Sequence, residues 1–74
     1  MRHISIKARW DGDAAVWIAT SDDVPGLVVE ADGWPSMIEE VRLVLPELLE
    51  LSGQAGKKLS LTFTAEEHLD LAGA

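Results

Sequence analysis

Hydrophobic and polar positions alternate strictly at the start of the chain. Ile4, Ile6, Ala8 and Trp10 interleave with His3, Ser5, Lys7 and Arg9, the period of two expected of a strand with one face in a core and one in water. Asp11-Gly12-Asp13 follows, and Asp-Gly between two strand-like runs predicts a hairpin, with Gly12 accepting a positive φ. The next strand, about Ala14 to Thr20, is apolar on both faces, Val16 and Ile18 on one and Ala15, Trp17 and Ala19 on the other. That predicts a central strand, or one whose second face a partner covers. Ser21-Asp22-Asp23-Val24-Pro25-Gly26 is a turn in which Pro25 and Gly26 suit the two central positions of type II. Leu27 to Ala31 reads as a third strand.

From Trp34 to Leu51 the period changes to that of a helix. Asp32 or Gly33 can cap it, and Pro35 is tolerated in a first turn, where its missing N–H has no helical partner. Met37, Ile38, Val41, Val44, Leu45, Leu48, Leu49 and Leu51 fall within an arc of roughly 160°, the width of a face that packs on a sheet. Opposite lie Glu39, Glu40, Glu47 and Glu50, with Leu43 alone among the acids. Pro46 removes the bond to the carbonyl of residue 42 and predicts a kink, bending the helix round a twisted sheet or splitting it. Residues 52–58 end the helix. Leu59, Leu61 and Phe63 then alternate with Ser60, Thr62 and Thr64 in a fourth strand. Thr64 and Glu67 have capping-box spacing, so Ala65 to Leu71 reads either as a short last helix or as a frayed tail.

The predicted architecture is α+β: a three-stranded antiparallel meander, one helix and a fourth strand (βββαβ), with the helix packed on one sheet face. One domain spans residues 1–74, its core at about 2–64. The other sheet face carries His3, Ser5, Lys7, Arg9, Ser60, Thr62 and Thr64. A domain of 74 residues buries only about 60% of its unfolded surface, so a partner or self-association would add needed stability.

Composition narrows the function. The chain has no cysteine, which removes disulfides and thiolate chemistry and suits a cytoplasmic protein. Its first residues alternate, so no signal peptide is expected, and no stretch of the sequence reaches the roughly 18 apolar residues of a membrane span. Thirteen acidic residues against six basic give a net charge of −7, and the bases are scattered. Direct nucleic-acid binding is therefore not expected, since phosphate recognition needs concentrated positive charge. A basic protein partner is compatible with this balance. For catalysis or metal binding the candidates are His3, His68, Asp11, Asp13, Asp22 and Asp23. General acid–base work requires a positioned, shielded pair, and metal capture requires convergent ligands. Two histidines near the termini, and aspartates in turns where Asp bonds the local backbone, do not meet that standard. No catalytic, metal or cofactor residue is assigned, and the chain is expected not to be an enzyme.

The stretch Trp17 to Asp32 resembles the core of HicB-like domains. Their pattern has an aromatic in the second strand, a Pro-Asp-Leu-Pro-Gly-Cys turn, and Gly-Asp-Thr before the helix. Trp17 matches the aromatic, Asp23, Pro25 and Gly26 match the turn, and Asp32 matches the helix entry. Asp22, Leu27, Ala31 and Gly33 depart from the pattern, replacing the first Pro, the Cys, the Gly and the Thr. The likeness covers about Ile4 to Phe63 by element order and fits a small stand-alone branch of the group. It implies the βββαβ fold, a homodimer, and, as in the antitoxins, binding of a small basic ribonuclease toxin. Many members also carry a C-terminal DNA-reading segment, which this sequence is expected to lack. The contact expected for the toxin is Glu39, Leu43, Glu47 and Glu50, an apolar anchor with an anionic rim. Trp17 is the candidate for the dimer interface, aromatics being enriched at interface centres. The other reading is a purely structural, self-associating subunit.

Overall fold

A computed structural model describes residues 2–51, 53 and 58–72. The elements run β1 (Arg2–Asp11), β2 (Val16–Thr20), β3 (Val28–Ala31), α1 (Trp34–Leu51) and β4 (Leu59–Glu66). They form one sheet of order β3-β2-β1-β4 with the helix on one face. The α+β class and the element order match the sequence expectation. The direction of the fourth strand does not follow from an antiparallel sheet: β1 to β3 form the antiparallel meander, but β4 lies beside β1 and parallel to it. The sheet is therefore mixed. Since β3 also runs parallel to β1, the chain leaves β3, crosses the sheet through α1, and returns on the far side in the same direction.

Alternation along the strands decides the two faces. In register, Ile4 pairs with Leu61, Ile6 with Phe63, Ala8 with both Ala19 and Ala65, and Ala19 with Val29, so these side chains share the face under the helix. Ile4, Ile6, Ala8, Ala19 and Val29 are buried there with Met37, Val41, Leu45 and Leu49 of α1. Val24 and Leu27, from the turn before β3, complete the core. Ile38, Val44 and Leu48 are half-buried at its margin, as are Leu59, Leu61 and Phe63 of β4. The helix thus covers the middle of the sheet and covers β4 only in part. Leu51, placed on the apolar arc by periodicity, is instead 86% exposed beyond the sheet.

Three rings and a fourth continue the core past the end of the helix. Trp10 meets Trp17 edge-on at 5.5 Å between ring centroids, Trp17 meets Trp34 at 5.1 Å, and Trp34 meets Phe63 at 6.4 Å. Such T-shaped contacts bring the positive edge of one ring to the negative face of the next. The stack ties β1, β2, the first residue of α1 and β4 together.

One turn matches expectation and one departs from it. At Val24-Pro25-Gly26-Leu27, Leu27 N–H donates to the Val24 carbonyl at 3.2 Å and Gly26 has φ +90°, the predicted type II turn. In the first hairpin, however, the positive φ falls on Ala15 (57°) and not on Gly12. The Asp11 carboxylate accepts from Asp13 N–H at 3.1 Å and from Ala14 N–H at 3.3 Å, which fixes the early part of the loop and moves the left-handed residue to its end. The second strand accordingly begins at Val16.

Gly33 supplies the carbonyl for the first helical bond, from Met37 N–H at 2.9 Å, and so occupies the cap. The helix continues unbroken through Pro46. Arg42, whose carbonyl loses its partner there, and Pro46 are both exposed, so water can satisfy the orphaned group. Gly53, with φ +77°, donates its N–H to the Glu50 carbonyl at 3.0 Å and ends the helix in the left-handed conformation that glycine adopts without strain. The rest of the turn expected there, 52 and 54–57, lies outside the described residues. The short last helix is absent: Ala65 and Glu66 extend β4, paired with Ala8 and Arg9, and 67–72 form an exposed tail without regular structure. Residues 73–74, at the end of that predicted tail, lie outside the description.

Candidate functional site

The helix face turned away from the sheet is built by the same periodicity that builds the core. Glu39, Leu43, Glu47 and Glu50 follow one another at spacings of four, four and three, so they form one stripe along α1. The structure brings these four predicted residues together on the solvent side. Leu43 is 60% exposed, and all three acids are exposed. Glu39 lies 3.6 Å from Arg42 in a solvated i,i+3 pair, which leaves Glu47 and Glu50 as the anionic flank of Leu43.

Trp17, the predicted interface residue, stands on the helix-side face of β2, half-buried between Trp10 and Trp34. Much of its ring is used within the monomer.

The aspartates are separated. Asp11 and Asp13 sit in the first hairpin and Asp22 and Asp23 in the turn at the opposite end of β2. Their bonds are local or structural. β2 ends at Thr20, opposite Lys7, so the first half of β1 has no β2 neighbour, and the turn takes over. Asp23 Oδ2 accepts from Ser5 N–H at 2.8 Å, Ser21 Oγ donates to the Ser5 carbonyl at 2.6 Å, and Asp23 N–H donates to Ser21 Oγ at 3.1 Å. Two side chains therefore continue the ladder where the backbone stops. Asp22 pairs with Lys7 at 3.3 Å, both exposed. His3 Nε2 is 3.0 Å from Thr62 Oγ1 on the outer sheet face, while His68 bonds Asp70 at 3.0 Å in the tail. Among the described residues no group of three or more His, Asp or Glu converges as a metal site would require.

Two features lie outside the sequence-based candidates. The outer face of the sheet holds an open groove in which Lys7 and Arg9 face Thr20, Thr64 and Glu66. The free edge of β4 is the other. Both depend on which strands are neighbours, which alternation alone does not specify.

These features define a class: a small α+β domain with a single helix on a four-stranded mixed sheet, an acidic helix face and one long open sheet edge. Over residues 3–71 the chain matches the family described as "Domain of unknown function (DUF1902)", and it belongs to that family. Among solved structures it is similar to a hypothetical protein, TTHA1013, from the extremely thermophilic bacterium Thermus thermophilus. The two are 38% identical with a TM-score of 0.72, over 97% of this chain and 100% of the other. No curated protein matches.

Proposed function

We propose that this protein is a non-enzymatic protein-binding module resembling the HicB antitoxins. In this reading it acts in the cytoplasm, associates with itself, and neutralises a small basic ribonuclease toxin by covering it. The observation that carries the reading is Leu43, 60% exposed at the middle of the Glu39-Leu43-Glu47-Glu50 stripe. An apolar side chain that enters a pocket while a rim of carboxylates meets cations is a common way to join affinity to specificity. The net charge of −7 favours encounter with a basic partner. Trp17, Asp23, Pro25, Gly26 and Asp32 support the HicB likeness, and no helix among the described residues is long and apolar enough to cross a membrane.

The test is affinity capture from the native extract with tagged protein, followed by identification of the captured chain and assay of its ribonuclease activity. We expect a small basic protein, retained after nuclease treatment, released by salt, and active as a ribonuclease only once released. Leu43→Asp should lower its capture at least tenfold while leaving the fold intact. Equal capture by the variant would remove the helix face from the mechanism, and recovery of no basic partner would remove the antitoxin reading. The self-associating structural domain is then the remaining reading, and the open edge of β4 favours it.

A further inference from the structure

The sequence around β4 is a mirror of itself in chemical type. Counting outward from Thr62, Leu61 answers Phe63, Ser60 answers Thr64, Leu59 answers Ala65, and Lys58 answers Glu66. Apolar meets apolar, hydroxyl meets hydroxyl, and at both ends base meets acid. In a strand pairing antiparallel with a second copy of itself, those are the residues that stand opposite one another.

The backbone agrees with this pattern. Among the described residues β4 is the outermost strand, next to β1 alone. Arg2 N–H donates to the Lys58 carbonyl at 3.1 Å, and Arg2 is in register with Leu59. In a parallel ladder this assigns the even-numbered residues of β4 to β1 and points the N–H and C=O of Leu59, Leu61, Phe63 and Ala65 at the open edge. Within Leu59–Glu66 there is no Pro, Lys or Arg of the kind that blunts an exposed edge, whereas the opposite edge, β3, is only four residues long.

We infer that two copies of this chain pair through β4, antiparallel about Thr62, into one sheet that runs through both copies. This names the surface for the self-association proposed above and is separate from the toxin reading. The edge groups belong to odd-numbered residues, so odd must pair with odd. Residues directly opposite in a sheet share a face, so the two helices lie on the same side and the apolar rows Leu59, Leu61, Phe63 and Ala65 meet. Centring on Thr62 uses every outward N–H and C=O of the strand. Centring on Phe63 leaves Leu59 without a strand residue opposite it and sets Glu66 against Ser60. Only the Thr62 register sets Glu66 against Lys58 of the second copy. It also makes Thr62–Thr62 a non-hydrogen-bonded pair on the twofold axis, with Cα atoms about 4.5 Å apart. The half-buried Leu59, Leu61 and Phe63 gain apolar neighbours. Each tail, with Leu69 and Leu71 exposed, is carried past Lys58 of the other copy toward the end of the sheet where α1 finishes at the exposed Leu51.

The natural absence of cysteine makes the test direct. Sedimentation of the wild-type protein gives its oligomeric state, and Thr62→Cys, mildly oxidised with glutathione disulfide, reads the register. A Cα separation of about 4.5 Å lies within disulfide range, so the variant should convert almost wholly to a covalent dimer, while Ser60→Cys, opposite Thr64 of the second copy, should not. Glu66→Lys should raise the dimer dissociation constant about tenfold, from two symmetric like-charge pairs, and adding Lys58→Glu should restore it. Ala65→Pro, which removes only an outward N–H, should weaken the dimer with the monomer's circular dichroism unchanged. A wild-type dimer in which Thr62→Cys does not cross-link and the charge reversal changes nothing overturns the β4 interface but leaves self-association standing. A wild-type monomer at several hundred micromolar overturns both. Neither result bears on capture through Leu43, which is read separately.

Discussion

Among the described residues, Ala15 has the local conformation least suited to its side chain. At φ 57° its Cβ crowds the following carbonyl, a cost of roughly 1–2 kcal/mol for an L-residue, partly offset on substitution by the extra unfolded-state freedom of glycine. Ala15→Gly should therefore stabilise the fold by about 0.5–1 kcal/mol, read as a rise in the thermal midpoint. Asp23 behaves in the opposite sense. Its carboxylate holds the Ser5 N–H at a point where no strand is available to do so. Asp23→Ala should cost about 1 kcal/mol, the scale of an exposed charge-assisted bond, and Asp23→Asn, which keeps an acceptor oxygen, should recover part of it. Chemical denaturation of the two variants side by side checks this. The same bond gives an aspartate in this turn a structural role: one of its carboxylate oxygens is engaged by the backbone of β1.

At the scale of elements, the helix was the most legible part of the sequence. Its exposed stripe and all of its buried face but Leu51 follow from the 3.6-residue period, because Met37, Val41, Leu45 and Leu49 repeat at four-residue spacing and lie buried, while Leu51 is exposed. Met37→Ala, at a site with no solvent exposure, should destabilise by about 2–5 kcal/mol, enough to unfold a large fraction of so small a domain. Leu43→Asp, on the opposite side, should shift stability by no more than about 0.5 kcal/mol. Equilibrium urea melts distinguish the two. Strand direction was not legible. Alternation in Leu59-Ser60-Leu61-Thr62-Phe63 says which side chains face the core and nothing about which way the strand runs or which strand it joins. Of the two readings of Ala65 to Leu71, the tail is found over 67–72 and the short helix is not, for a related reason. Capping-box spacing at Thr64 and Glu67 is a local preference, and the ladder partners that Ala8 and Arg9 offer to Ala65 and Glu66 override it. The candidate helix stripe could be read because it lies on one element. The β4 edge could not, because its openness depends on the order of the whole sheet.

For the molecule as a whole, small size sets the terms. A domain of 74 residues has little stability in reserve, and anything that binds only the folded form raises the apparent melting temperature in proportion to the logarithm of its concentration. If two copies share β4, the thermal midpoint should rise with protein concentration in the wild type, and this dependence should be flattened in Ala65→Pro. A midpoint independent of concentration over two decades would speak against the shared sheet. The ring stack has its own experimental use. The chain has three tryptophans and no tyrosine, and every tryptophan belongs to the run Trp10–Trp17–Trp34–Phe63. All near-ultraviolet emission therefore originates at the junction where the start of the helix meets three strands. Intrinsic fluorescence becomes a single-site reporter that needs no label: it should change when α1 lifts from the sheet and stay constant when only the tail or the outer helix face is engaged.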